Sequence, residues 1–197
     1  MNLVAHQLLS FQNKELQIGN LLGETVKGKQ YLHYSEMIQK GILLHRNIDS
    51  FTDSHEIVKH SSSYFHSTQH KFAPIVIDVI YDYFLIKNWQ TFSDVSFSKF
   101  KKDCYQLFNE EYDQLPIKLQ NTLYYLLKYD WFKNYSTIEG VQKTLEGIGK
   151  RAKFENNLHQ IIPEFEKNYS NLENDFLNFF PQLFKQCENF LLIENQH

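Results

Sequence analysis

Two pairs of ligand-type side chains, each pair four positions apart, lie in the first half of this sequence. His45 and Asp49 form one pair, and Asp78 and Asp82 form the other. Residues four apart on an α-helix lie on the same face, so each pair would direct its polar atoms one way. Imidazole and carboxylate groups bind divalent cations and transfer protons. The spacing therefore indicates a metal-dependent or acid–base site.

The carboxylates of Asp78 and Asp82 lie in a strongly apolar segment. Their apolar neighbours are Ile75, Val76, Ile77, Val79, Ile80, Phe84 and Leu85. A buried, ionised carboxylate needs a partner or a metal, and two that repel each other need a cation or a shared proton. This segment predicts a buried helix with a functional acidic pair. The alternative is a structural ion pair with Arg46 or a lysine.

The segment HRNIDSFTD brings an imidazole, a guanidinium and two carboxylates within about two helical turns. His45 and Asp49 would suit a divalent cation, and Arg46 would suit a phosphate as a bidentate anion clamp. The alternative is a solvated helix face on which Asp53 acts only as an N-cap.

Three further residues are weaker candidates. His6 lies among apolar residues, where a lone histidine is either a satisfied core residue or a ligand. Glu24 and Lys27 could be a ligand and a phosphate-facing cation, or an exposed pair three residues apart. The serines lack an arguable His–Asp partnership, so nucleophilic serine chemistry is not expected.

Composition indicates one helical domain, which we predict to span residues 1–197. The length fits a single core, and only 7 glycines and 4 prolines leave few turn signals, which favours an all-α, bundle-like fold. A net charge of −3 gives no electrostatic case for nucleic acid, although an acidic partner is not excluded. The oligomeric state stays open.

The expected location is the cytoplasm. Cys104 and Cys187 have no CxxC spacing and are interpreted as reduced thiols. No run reaches the roughly 18 apolar residues of a membrane span, and the N-terminus lacks the features of a signal peptide.

Periodicity and capping residues predict the helices and their limits. A turn is expected at residues 50–52, followed by an N-cap at Asp53 with Glu56 completing a capping box. Prolines 163 and 181 should start or kink helices in the last part of the chain. The predicted helices are 1–12, 13–29, 34–49, 53–66, 74–89, 96–112, one from Pro116, 137–150, and a long amphipathic region from residue 154.

The sequence resembles the acyl carrier protein phosphodiesterases, also called acyl carrier protein hydrolyases, in four segments of matching order and spacing: MNLVAH, GNLLGETVKG, GILLHRNIDSFTDSH and APIVIDVIYDYFLIKNW. The resemblance is strong over residues 1–100. It implies a divergent, all-helical member of the HD-type metal-dependent phosphohydrolases. It also implies removal of 4′-phosphopantetheine from holo acyl carrier protein, and a preference for Mn²⁺, with Mg²⁺ or Fe²⁺ as alternatives.

The resemblance places the family's motif residues on named positions. These positions are His6, His45, Arg46, Asp49, Asp53, Asp78 and Asp82. We expect some of His45, Asp49, Asp78 and Asp82 to bind the metal. Among the catalytic residues, Arg46 would stabilise the phosphoryl charge, while the choice between His6 and Asp53 for orienting the water or protonating the leaving group stays open. Glu24, Lys27 and Tyr83 are expected to face the substrate. Two positions depart from the pattern: Glu24 replaces the aspartate of GDFVKG, and Tyr83 replaces the histidine of YDHFL. Tyrosine titrates near pH 10 and is a poor substitute for a histidine ligand.

Three functions stay open on this basis. The first is an active phosphodiesterase that acts on holo acyl carrier protein. The second is a carrier-binding module without turnover, which the replacements at Glu24 and Tyr83 would explain. The third is a related phosphohydrolase that acts on a small phosphodiester or a nucleotide.

Overall fold

A computed structural model describes residues 2–194 of the chain, so Met1 and residues 195–197 of the predicted elements lie outside it. Its α-helices are α1 Leu3–Leu8, α2 Lys14–Gly23, α3 Glu36–Ser54, α4 Glu56–Ser63, α5 His66–Gln69, α6 Ala73–Lys87, α7 Phe97–Glu111, α8 Ile117–Lys128, α9 Trp131–Asn134, α10 Ile138–Arg151 and α11 Ile162–Glu194. Short 3-10 turns join several of them, and residues 2–194 contain no strand. The predicted all-α fold is confirmed.

The hydrophobic helix α6 lies at the centre of the structure. Helices α1, α4, α10 and α11 pack against it, and most of its side chains are buried. An apolar sequence on nearly every face requires such a central position. The predicted buried helix is therefore confirmed, and it forms the support on which α1 rests.

Helices α2 and α3 approach each other closely because two glycines face each other across their contact. A Cβ atom at Gly41 would lie 2.6 Å from the carbonyl oxygen of Leu16, and one at Gly19 would lie 2.8 Å from the Cα of Gly41. No side chain larger than hydrogen fits at either position. The contact brings the buried polar face of α2 against α3.

We expect Gly41→Ala to destabilise the protein by about 1–3 kcal/mol, because overpacking a tight contact forces the backbones apart. The midpoint of thermal unfolding should fall by roughly 2–12 °C for a chain of this size. Gly147→Ala is the matched control, since a Cβ there would lie 3.6 Å from Nη1 of Arg151, an ordinary contact. Circular dichroism melting measures both; an equal midpoint for the two variants would contradict the close approach.

The predicted break between α3 and α4 is wrong in position. Helix α3 continues without a turn through residues 50–52 and ends at Ser54, because Ile48 and Thr52 extend its buried face. The N-cap of α4 is His55, whose Nδ1 accepts a hydrogen bond from the Ile57 amide at 3.2 Å. Asp53 is therefore an exposed residue of α3, one turn after Asp49, and makes no capping box.

In the last part of the chain, the helix prediction agrees with the structure in part. Pro163 lies in the first turn of α11, as predicted. Pro181 lies inside α11, which continues to Glu194, so Pro181 does not start a helix and a kink there stays a prediction. Cys104 and Cys187 are both free and buried. Among residues 2–194, no helix combines the length and the apolar character that crossing a bilayer requires.

Candidate metal centre

Three ligand-type side chains from two helices converge where α1 meets α3. His6 Nε2 lies 3.2 Å from Asp49 Oδ1, and His45 Nε2 lies 3.1 Å from Asp49 Oδ2. One ligand atom from each residue lies within 4.8 Å of the other two. We call His6, His45 and Asp49 the metal cluster. These separations suit atoms that either share protons or surround one cation.

The fold positions the metal cluster through α1, α2 and α3. His45 and Asp49 share a face of α3, as their spacing predicts. The His45 ring packs directly against Gly23 of α2, where a Cβ atom would come within 2.7 Å of its Cδ2 atom. His6 reaches the cluster from α1, and its ring lies 4.4 Å from that of His45.

A buried asparagine, Asn20 of α2, lies on the opposite side of both imidazole rings. Its Oδ1 atom is 2.8 Å from His6 Nδ1 and 3.1 Å from His45 Nδ1. The sequence interpretation did not include Asn20. A polar residue between Ile18 and Leu21 in an apolar helix was the available signal, since buried amides are almost always hydrogen-bonded.

Burial and hydrogen bonding set the charges of the metal cluster. Burial lowers the pKa of His6, opposed by the adjacent Asp49 carboxylate, so the neutral ring is favoured. Burial opposes ionisation of Asp49, but its close contacts with His45 and His6 hold the pKa of this carboxyl below its ordinary value. The cluster thus offers a carboxylate and two imidazoles, which are ligands for a divalent transition metal.

The donor set also fits a catalytic rather than a closed site. The side chains of His6 and His45 are 2% and 8% exposed, whereas that of Asp49 is 45% exposed. Three protein ligands with one accessible side leave coordination positions for water or substrate, as in catalytic zinc sites.

The structure does not bring Asp78 and Asp82 into the metal cluster. Asp82 is fully buried, and its Oδ2 atom accepts a hydrogen bond from the Val4 amide of α1 at 3.0 Å. Its Oδ1 atom is buried without a hydrogen-bond partner among the described residues. Asp78 is half-buried on α6, near enough to Asp82 and Asp53 to raise the pKa of both carboxyls. Asp82 therefore holds α1, which carries His6.

Comparison with known proteins gives a family assignment. A family model described as acyl carrier protein phosphodiesterase matches residues 1–183. The chain belongs to this family. Relatives named acyl carrier protein phosphodiesterase from Yersinia enterocolitica and Klebsiella pneumoniae are each 30% identical over 190 residues, covering 96% of this chain and 98% of the relative. A relative of the same name from Serratia proteamaculans is 28% identical with the same coverage.

The family assignment confirms the predicted resemblance and the prediction that this chain is an enzyme, a phosphodiesterase. No solved structure matches the chain. The helices establish the all-α class. The expected likeness to the HD-type fold stays a prediction.

Two predicted site residues of α3 flank the metal cluster. Arg46 donates from Nη2 to the carbonyl oxygen of Val26 at 3.2 Å, and its guanidinium lies over the Tyr31 ring, 5.3 Å from the centroid. It thereby anchors the loop after α2. Asp53 is exposed, and burial together with the nearby carboxylates of Asp78 and Asp49 raises its pKa.

The predicted substrate-facing residues lie in different environments. Glu24, at the C-terminal end of α2, is exposed and lines a cavity of about 210 Å³ with Asn2 and Trp131. Lys27 is exposed in the following loop. Tyr83 is largely buried, and its hydroxyl lies 3.0 Å from that of Tyr169 in α11. Position 83 in this phosphodiesterase thus faces α11 and not the metal cluster.

Replacement of Tyr83 by phenylalanine should leave catalysis nearly unchanged. We expect kcat/KM to stay within about twofold, a change below 0.5 kcal/mol, because the ring still packs against Phe165 and Phe84. Loss of the hydroxyl pair should cost about 0.5–1.5 kcal/mol in the free energy of unfolding. Steady-state kinetics with urea unfolding tests this; a tenfold loss of activity in a stable Tyr83→Phe protein would place the tyrosine in the site.

Proposed function

We propose that this chain is a metal-dependent phosphodiester hydrolase that removes 4′-phosphopantetheine from holo acyl carrier protein and leaves the apo protein. The observation that carries the proposal is the metal cluster, whose two imidazoles and one carboxylate converge in a chain of the acyl carrier protein phosphodiesterase family. Relatives that bear this name match nearly the full length of the chain.

The residues His6, His45 and Asp49 would hold the divalent cation. This keeps two of the ligands expected from the sequence, adds His6, and gives Asp82 the separate role of holding α1. A bound cation would polarise the phosphoryl oxygens and lower the pKa of water. Two imidazole donors fit a transition metal better than Mg²⁺, which prefers oxygen ligands. The resemblance to the family makes Mn²⁺ the proposed ion, with Fe²⁺ as the alternative.

Residues next to the metal cluster would handle the phosphate and the leaving group. Arg46 uses Nη2 for the Val26 carbonyl, and its other N–H groups would stabilise negative charge on the phosphoryl oxygens. Lys27, exposed in the loop that Arg46 anchors, would add a second positive charge.

Asp53 would act as the general acid. It lies one helical turn beyond Asp49, and its raised pKa favours the protonated form that a general acid needs. Water would give up one proton to the solvent and attack phosphorus through its oxygen, and the bond from phosphorus to the carrier's serine oxygen would break. The Asp53 proton would pass to that serine oxygen, and Asp53 would regain a proton from the solvent before the next turnover. The products are a serine hydroxyl on the apo carrier and free 4′-phosphopantetheine.

We also propose that the reaction takes place in the cytoplasm on a separate carrier-protein partner. Cys104 and Cys187 are free thiols in the structure, which is typical of proteins in a reducing compartment.

The direct test is to incubate the protein with holo acyl carrier protein and Mn²⁺ and to measure the intact mass of the carrier. Loss of the phosphopantetheine group by wild type and not by Asp49→Asn supports the proposal. An unchanged carrier would refute it: binding in a pull-down would then indicate a module without turnover. Hydrolysis of bis(p-nitrophenyl) phosphate or a cyclic nucleotide alone would indicate the small-substrate phosphohydrolase.

A further inference from the structure

The oxygen and the nitrogen of the Asn20 side-chain amide both have hydrogen-bond partners within the protein. Its Nδ2 atom donates to the His6 carbonyl oxygen at 2.9 Å and to Ser10 Oγ at 3.1 Å. Its Oδ1 atom faces the Nδ1 atoms of His6 and His45. Asn20 is 0% exposed, so water does not compete for these contacts.

The orientation of this amide follows from the His6 carbonyl oxygen, which can only accept a hydrogen bond. If the amide were turned by 180°, Oδ1 would face that carbonyl oxygen at about the same distance, and two buried acceptors would repel each other. Ser10 Oγ, which itself donates to the His6 carbonyl at 2.9 Å, accepts the second Nδ2 proton. Oδ1 must therefore point toward the imidazoles.

A fixed acceptor beneath both rings decides which ring nitrogen carries a proton. Asn20 Oδ1 can only accept, so each Nδ1 atom must donate to it. The nitrogen that remains on each ring is Nε2, and both Nε2 atoms face Asp49. Metal-binding histidines are commonly oriented in this way by a hydrogen bond to the second nitrogen.

We propose that Asn20 is a positioning residue that keeps Nδ1 of both His6 and His45 protonated and thereby reserves both Nε2 atoms for a divalent cation. A single amide from α2 orients two ligands from α1 and α3. This inference rests on the proposed metal-dependent function, and it adds a residue outside the ligand set.

The test compares full-length wild type with Asn20→Leu, which removes the acceptor at similar volume, and with Ser10→Ala. In Ser10→Ala the amide keeps its bond to the His6 carbonyl and should stay in place. Calorimetry with Mn²⁺ should show a 10–100-fold weaker affinity for Asn20→Leu, the range found for such supporting partners, and a nearly unchanged affinity for Ser10→Ala. Equal affinities of Asn20→Leu and wild type would overturn the proposal.

Long-range ¹H–¹⁵N NMR of the imidazoles gives a readout that does not depend on activity or on how well Asn20→Leu folds. Wild type should show protonated Nδ1 atoms on both rings, in the metal-free form and in a form loaded with diamagnetic Zn²⁺. An unprotonated Nδ1 on either ring in the metal-free protein would overturn the role of Asn20 even if Mn²⁺ binds. Protonated Nδ1 atoms in a protein that binds neither Mn²⁺ nor Zn²⁺ would support the orientation by Asn20 and refute the metal-dependent function.

Discussion

Asp49→Asn should lower kcat/KM for holo acyl carrier protein by about a thousandfold, because a bound cation contributes several kcal/mol and each 1.36 kcal/mol is a factor of ten. The variant keeps the shape of the side chain but removes the negative charge that His6 and His45 face. Asparagine also offers the cation a single neutral oxygen. The loss should appear in steady-state cleavage measured by carrier mass at saturating Mn²⁺.

The matched control for this prediction is Asp103→Asn. Asp103 lies on α7 and pairs with Lys99 on the exposed surface of that helix at 2.7 Å, an ion pair that contributes little to stability. Its replacement should leave kcat/KM unchanged. An Asp49→Asn protein that retains more than a tenth of wild-type activity would show that the metal cluster is not the catalytic centre.

Asp82→Asn should change the pH dependence of stability between about pH 4 and pH 7 more than any other single replacement of a carboxylate in the described structure. Burial raises the pKa of Asp82 from 3.8 to about 7, although the Val4 and Ala5 amides favour its charged form. The folded protein therefore holds this proton more tightly than the unfolded chain does. Stability falls as the pH rises from about 4 to about 7, by up to about 4 kcal/mol.

In Asp82→Asn this loss disappears, because an amide does not titrate. The free energy of unfolding of the variant relative to wild type should therefore rise steadily between pH 4 and pH 7 and level off above it. The lowered pKa values of His6 and Asp49 act in the opposite direction, but they are common to both proteins and cancel in the difference. Urea unfolding of both proteins at several pH values measures this difference in the free energy of unfolding. A difference that stays constant between pH 4 and pH 7 would contradict a raised pKa for Asp82.

The sequence predicted the parts of the site that depend on one helix. His45 and Asp49 are one turn apart on α3, and helical spacing alone places them together. His6 joins them from α1, and its contact with α3 depends on how α1 packs on α2 and α6. That contact is set by tertiary packing, which local spacing does not encode, so the sequence left His6 open between core residue and ligand.

The buried carboxylate of Asp82 shows why an apolar setting is an ambiguous signal. The sequence correctly indicated burial, and a metal was one way to satisfy the charge. The structure satisfies the charge in another way, because backbone amides at the start of α1 hydrogen-bond the Asp82 carboxylate. The raised pKa of Asp82 also leaves this carboxyl partly neutral near pH 7. Only the position of α1 distinguishes a buried carboxylate that binds a metal from one that binds backbone amides.

The replacement at Tyr83 illustrates the same limit. A departure from the family pattern beside Asp82 suggested a missing ligand. Position 83 instead faces α11, where Tyr169 and Phe165 receive its ring. The remaining departure, Glu24, keeps its negative charge at the exposed end of α2.

Mn²⁺ binding by wild type, His45→Ala and Asp82→Asn, measured by electron paramagnetic resonance of the free ion, tests the central claim most directly. The account predicts stoichiometric binding by wild type, loss of binding by His45→Ala, and retention by Asp82→Asn. Loss of binding by a folded Asp82→Asn protein, with retention by His45→Ala, would place the metal at α6 and contradict a centre built from His6, His45 and Asp49.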